Sequence, residues 1–198
     1  MIGEFGSLPT ERLILRRWRD ADRPLLAAIH ADPLVMATLG PPMSRAQSDT
    51  TIERIEQGFA ERGYGWWCVE VVGGPVCIGW VGLGHPEFEA SFTPCTEIGW
   101  RIASGEWGKG YAVEAARTVL QHAFGRLGLD EVVAFSAAIN TKSRRVMEKL
   151  DMVHDLFADF DHPRLEPGDP LRPHALYRIA RHDLGPEMLA ERAELAPE

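Results

Sequence analysis

The chain reads as an α/β protein with a mixed sheet, and three observations carry that reading. Strand-like and helix-period stretches follow one another in the order β-α-α-β-β-β-α-β-α-β-β. A glycine-bearing turn, Trp107-Gly108-Lys109-Gly110-Tyr111-Ala112, joins an apolar strand-like run to a long amphipathic pattern. Beyond that pattern, Glu131 to Ala137 (EVVAFSA) is β-rich and apolar throughout, as a buried parallel strand is. A strand, crossover helix and strand of this kind are expected to be parallel and right-handed.

The elements follow in order. Arg12 to Trp18 alternates apolar and charged residues and reads as a first strand. Asp20 or Asp22 can cap the helix after it, with Pro24 in its first turn and Leu25, Leu26 and Ile29 as its buried stripe; Asp32-Pro33 ends it. Leu39 to Met43 holds Gly40, Pro41 and Pro42 and is a loop suited to wall a substrate pocket. Ser44-x-x-Gln47 is a capping box for a second helix with Ile52, Ile55 and Phe59 on one face, closed by Gly63 and Gly65. Trp66 to Val72 and Val76 to Leu83 form a hairpin about Gly73-Gly74-Pro75. After the polar loop from Glu87 to Pro94, Thr96 to Ala103 is a strand that runs into the glycine turn.

The third helix buries Val113, Ala116, Leu120, Ala123, Phe124 and Leu127, with Gly128 as its C-cap. Asn140 caps a fourth helix whose buried face is Val146 and Leu150. Met152 to Asp159 is a strand, His162 to Pro173 a long proline-bearing loop, and Leu176 to Ala180 a last short strand. Met188 to Glu198 has weak helical spacing and is expected to fray. One domain is expected from residue 8 to residue 183, with 184–198 a tail.

Composition narrows the function classes. With 198 residues, 45% of them hydrophobic, the chain can bury a full core. No apolar run approaches the roughly 20 residues that span a bilayer, and the first seven residues have neither the positive region nor the apolar core of a secretory signal. A cytoplasmic, non-membrane protein is expected. A net charge of −8 argues against general nucleic-acid binding and mildly favours a cationic small substrate. Cys68, Cys77 and Cys95 are odd in number and lack CxxC spacing, so reduced thiols are expected, the first two in the core. His85, His154, His162, His174 and His182 lack metal spacing, and no metal is assigned.

The glycine turn is where chemistry concentrates. A strand, a tight turn and a helix N-terminus leave backbone N–H groups free to meet a phosphate, with the helix dipole favouring negative charge. Gly108 and Gly110 let the backbone approach a ligand closely, and Lys109 adds a cation. A Walker loop needs Ser or Thr after Gly-Lys, and a dinucleotide fingerprint needs three spaced glycines; neither is present. A diphosphate cradle of another type remains.

On these residues the chain resembles the GNAT N-acetyltransferase superfamily, and within it the RimJ/RimL-like protein N-terminal acetyltransferases. Three ordered motifs carry the resemblance: Glu97-Ile-Gly-Trp-Arg-Ile102, Trp107-Gly-Lys-Gly-Tyr-Ala-Val-Glu-Ala115 and Asn140-x-x-Ser143-x-x-Val146-x-Glu148-Lys149-Leu150. It implies a splayed central sheet of about seven strands flanked by about four helices. It implies an acyltransferase that moves the acetyl group of acetyl-CoA to a primary amine by direct attack, through a tetrahedral intermediate. The acceptor is left open among a peptide or protein N-terminus, a polyamine and an aminoglycoside. Homodimers occur among relatives.

The resemblance also implies roles. Amides from Gly108 through Lys109, Gly110, Tyr111 and Ala112 to Val113 would hold the diphosphate. Arg101, Lys109, Lys142, Arg144 and Arg145 are the nearest cations, with Arg144 read rather as part of a solvated helix face. The backbone of Trp100, Arg101 and Ile102 would pair with the pantetheine arm, an N–H near Ile102 polarising the thioester carbonyl. Trp107 and Tyr111 flank the cofactor or pack in the core. Glu97 stands where some relatives have a general base, His85 being second in rank; the alternatives are a strand-end carboxylate and a water chain. A tyrosine that protonates the leaving thiolate in many relatives is replaced by Met147, and Ser143 matches the serine of RimL-type relatives. Asn140 caps its helix, bonds the pantetheine arm, or does both. Asp151 stands where the family has glycine, in a left-handed cap. The competing reading is a catalytically inactive acetyl-CoA-binding regulatory module, kept alive by Met147.

Overall fold

The computed structural model describes residues 7–184. Its strands are β1 (Ser7–Pro9), β2 (Leu13–Arg16), β3 (Trp66–Val71), β4 (Gly79–Gly84), β5 (Glu97–Ile102), β6 (Glu131–Ala137), β7 (Val153–His154), β8 (Phe160–Asp161) and β9 (Pro173–Ala180). Its α-helices are α1 (Arg23–Ala31), α2 (Pro33–Met36), α3 (Arg45–Arg62), α4 (Tyr111–Gly125) and α5 (Thr141–Lys149). The sheet order is β1-β2-β3-β4-β5-β6-β9-β7, with β8 also on β9. Among the described residues only β5 and β6 pair parallel; every other neighbouring pair is antiparallel.

Local chemistry accounts for the helices. Ser44 accepts from the Gln47 N–H while Gln47 returns to the Ser44 N–H, and Gly63 closes α3 at φ +80. Asn140 accepts from the Ser143 N–H at the start of α5, and Asp151 follows that helix at φ +60. Helix α4 buries Ala115, Ala116, Val119, Leu120, Ala123 and Phe124 completely, in one core with Ile98 and Ile102 of β5 and Val132 and Ala134 of β6. Each fully buried aliphatic or aromatic side chain there is worth about 1.5–3 kcal/mol relative to exposure.

The mixed α/β architecture is the expected one, with differences of detail. Nine strands replace seven because β1 extends the sheet before the first expected strand, and Met152 to Asp159 holds a turn after the two residues of β7, with β8 following it. Asp32-Pro33 ends α1 as expected, and Asp32 also caps a short further helix, α2. Leu25 is exposed, and His30 joins Leu26 and Ile29 on the buried side of α1. On α5, Met147 rather than Val146 lies fully in the core beside Leu150. The return strand begins at Gly79, since Val76 is exposed and Gly79 takes φ +133. The weak pattern from Met188 lies outside the described residues.

Arg16, in an alternating strand, is buried. Its guanidinium meets both Asp22 oxygens (2.7 and 2.9 Å), Glu70 (2.5 Å) and the Val76 carbonyl (2.7 Å).

Candidate functional site

Strands β5 and β6 share one rung, Glu97 opposite Val133, where the Val133 N–H donates to the Thr96 carbonyl at 3.0 Å. Beyond it β5 stays with β4 and β6 with β9, so the facing edges diverge. The Ala103 N–H bonds Ile78 on the β4 side. Amides alternate along a strand, so those of Trp100 and Ile102 face the opening. That splayed slot offers strand-like hydrogen bonding to an elongated ligand.

At the wide end of the slot, a 3₁₀ turn (Ser104–Glu106) leads into the glycine loop. Gly108 takes φ +79 and Gly110 φ +87, conformations that side chains resist. A Cβ on Gly108 would meet no atom within 4 Å, so the loop's outer surface is open. Unlike α3 and α5, helix α4 has no side chain at its cap, Gly110, so the first-turn amides of Tyr111, Ala112 and Val113 are left for a ligand. The Trp107 indole N–H donates to the Ile102 carbonyl at 2.8 Å, tying the loop to the end of β5. Lys109 is exposed and pairs with Glu106 at 2.8 Å.

A residue that sequence reading passed over completes the loop. Arg12 donates to the Lys109 carbonyl (3.1 Å) and to Glu114 (2.7 Å), and lies 4.9 Å from the Tyr111 ring centroid. Glu114 also accepts from the Thr10 hydroxyl and the Arg12 N–H, so the first turn of α4 is bolted to the start of β2. The only local signal was a carboxylate in a first helical turn.

Helix α5 faces the loop across the slot. Lys142 Nζ lies 3.8 Å from the Trp107 ring centroid. Ser143 is half-buried and shares a helix face with Met147 and Leu150, at the end nearest the slot. Arg144, half-buried, donates to the Tyr177 hydroxyl (3.2 Å) and the Ala138 carbonyl (3.4 Å). Arg145 is exposed.

The opposite face of β4 and β5 is a second surface. Glu97, Gly99 and Arg101 project there, opposite Gly84, Gly82 and Trp80. Trp66 lies across the glycines: a Cβ on Gly84 would come 2.4 Å from its ring, and one on Gly99 3.1 Å. Burial, helped by the charge of Glu87, pushes the Glu97 carboxyl up to about 7. His85 engages the Cys95 carbonyl through Nδ1 and the Tyr64 hydroxyl through Nε2, each at 2.8 Å. Arg101 is on this face, away from the glycine loop, which removes it from the expected phosphate cations. It lies over Trp80 (5.3 Å to the centroid) and against the Met43 sulfur (3.8 Å).

Asp22, Cys68 and Cys77 form a buried group with ligand atoms within 4.8 Å of one another, which spacing along the chain did not reveal. The cysteines are free thiols. The Arg16 guanidinium takes both Asp22 oxygens and sets a positive charge beside the thiols, which opposes a cation at that point.

Comparison with known proteins matches residues 12–153 to an acetyltransferase (GNAT) domain. An FsC-acetyl coenzyme A-N(2)-transacetylase of Aspergillus fumigatus is 38% identical over 110 residues, 54% of this chain and 42% of that protein. This chain thus spans less than half the length of that relative. The crystal structure of an acetyltransferase from Agrobacterium tumefaciens superposes with a TM-score of 0.72 at 28% identity, over 90% of this chain and 96% of that one. Mycobacterium smegmatis RimJ in complex with CoA-disulfide superposes with a TM-score of 0.69 at 20% identity, over 90% and 88%.

Proposed function

The chain belongs to the GNAT acetyltransferase family, and from that premise we propose that it transfers the acetyl group of acetyl-CoA to a primary amine. The observation that carries this reading is the pairing of the β5/β6 slot with the uncapped N-terminus of α4. The slot suits an amide-bearing arm, and the free amides suit a diphosphate. The similar RimJ structure is a complex with CoA-disulfide, which supports coenzyme binding by a protein of this fold.

In this reading acetyl-CoA supplies an activated acetyl group as a thioester. The acceptor nitrogen forms a bond to the acetyl carbon, the carbon–sulfur bond breaks, the amine loses a proton and the thiolate gains one. An amine has a pKa near 10 and arrives mostly protonated. Glu97, raised to about 7 in a partly dry setting, takes that proton directly or through one water. The Ile102 N–H, directed into the slot, stabilises the developing oxyanion, a term worth on the order of 3 kcal/mol. Amides from Gly108 to Val113 hold the diphosphate, with Lys109 and Lys142 as the mobile cations. Met147 is buried and apolar, so the leaving thiolate takes its proton from Ser143 or from solvent. Asn140 sets the start of α5 so that Ser143 is presented.

A RimJ/RimL-like acceptor, a protein N-terminus, is the finer form of this reading, supported by the shared fold. Thiol release from acetyl-CoA, followed across peptides, polyamines and aminoglycosides, tests it. Tight acetyl-CoA binding with no turnover on any amine would instead identify an inactive binding module.

A further inference from the structure

Three buried groups able to donate gather around Arg101, at the far end of β5 from Glu97, without an acceptor. The Nε of Arg101 and the Nε1 of Trp80 are buried and have no hydrogen-bond partner, and both ring nitrogens of the fully buried His30 are likewise unpartnered. Trp80 and Arg101 stand opposite each other in the β4/β5 register, with the guanidinium over the indole. The Met43 N–H donates to the His30 carbonyl, while its sulfur meets Arg101 Nη1, so the loop after α2 closes over the group. Arg and Trp can only donate, and a neutral imidazole donates through one nitrogen.

Charge makes the arrangement more unusual. Among the described residues Arg101 forms no ion pair. Burial lowers its pKa to about 10, so it remains charged at neutral pH, and burial together with Arg101 holds His30 neutral, down to about 4. A half-buried cation without a counter-ion is destabilising, and each orphaned donor adds to that. Arg16, the one arginine that is buried among the described residues, is treated differently: it has two carboxylates. A cation left without its counter-ion, on the face that carries the proposed base, is a receptor for an anion.

Resting on the acetyl-transfer reading above, we propose that the acceptor amine carries a carboxylate, which Arg101 binds with help from the Trp80 indole N–H and His30. Glu97 and Arg101 are four residues apart on one strand face, roughly 13 Å between their Cα atoms at about 3.3 Å per residue, with the Trp66 and Trp80 rings lying over Gly99 between them. Amine and carboxylate therefore belong to one molecule that extends along the strand between the two side chains, or to one end of a peptide. This specifies the acceptor further than the net charge of −8, which favoured a cation: the local field at Arg101 is positive.

The test compares matched acceptors. Free amino acids are assayed against their carboxamides, and peptides with Asp or Glu beside the free N-terminus against their Asn or Gln counterparts. Thiol release gives kcat/KM, and calorimetry gives acetyl-CoA affinity. The wild type is expected to favour the carboxylate member of at least one series by about tenfold or more, that series naming the source of the carboxylate. Arg101→Met should abolish the preference and Arg101→Lys retain part of it, both at unchanged acetyl-CoA affinity. Equal use of both members, use of the neutral members alone, or a preference that survives Arg101→Met would overturn the inference while leaving acetyl transfer standing. Absence of acetyl-CoA binding would overturn both. Trp80→Phe, which keeps the ring and removes one donor, checks the assignment should Arg101→Met fold poorly: an unaltered preference would count against it.

Discussion

The Trp107 indole donates to the carbonyl of Ile102 at 2.8 Å, so the last residue of β5 is held by the loop that opens α4. The two parts of the proposed coenzyme site are therefore one mechanical unit. Trp107→Phe removes the donor and leaves the carbonyl exposed to the slot. Acetyl-CoA affinity should fall about five- to tenfold, with roughly 1 kcal/mol lost in denaturant unfolding. Calorimetry with the coenzyme checks it; an unchanged affinity would separate the loop from the slot.

Gly110→Val puts a branched side chain at φ +87 and at the mouth of the α4 amides. Strain there costs roughly 1–2 kcal/mol. Acetyl-CoA binding should be lost in a chain that still melts cooperatively. Gly105→Ala is the control: a Cβ there meets nothing within 4 Å and no left-handed φ is involved, so binding should persist.

Glu97→Gln should lower kcat by about a hundredfold and flatten its pH profile. In the wild type the rate should rise as pH passes about 7, where Glu97 loses its proton. Stability runs the other way. The folded carboxyl is raised from 4.5 to about 7, so the wild type matches the Gln variant below pH 4.5 and loses ground between 4.5 and 7. The loss is about 1.4 kcal/mol per pH unit at most. Unfolding midpoints at pH 4 and pH 8 check the sign.

Asp22→Ala strips Arg16 of its bidentate partner inside the protein. Glu70 and the Val76 carbonyl remain, but the charge is undercompensated, and a loss of about 3–5 kcal/mol is expected in urea unfolding. Acetyl-CoA affinity of the folded fraction should not change.

Gly82→Ala and Gly84→Ala should behave differently although they are neighbours on β4. A Cβ at Gly82 comes 2.1 Å from the Gly65 carbonyl oxygen, which is backbone and cannot turn aside. That variant should fold poorly, losing about 3 kcal/mol or more. A Cβ at Gly84 meets the Trp66 ring, which can rotate. It should fold, bind acetyl-CoA normally and show a raised KM for the amine.

Much of this molecule could be read from residue order because its signals are local. The Ser44/Gln47 box, the Asn140 cap, the left-handed Gly63 and the apolar run of β6 each depend on a few adjacent residues. The proposed coenzyme residues stay together for the same reason, since strand, turn and helix are consecutive. What escaped was made by contacts between distant segments. Arg12 reaches Glu114 across the chain, and Arg16 is buried only because Asp22 and Glu70 converge on it. Arg101 was misassigned because its number places it beside the glycine loop, whereas strand alternation points it to the other face. Met147 looked like an empty position on the coenzyme side and is a core residue.

The single rung between Glu97 and Val133 has a further consequence. It divides the β-structure into two leaves, and beyond that rung the facing edges of β5 and β6 pair with no other strand among the described residues. An extended guest lying there would supply the missing ladder, so occupancy becomes part of the architecture as well as of the chemistry. Amide protons at Trp100 and Ile102 should then exchange with deuterium quickly in the empty protein and slowly in the loaded one, making those positions reporters of the filled state.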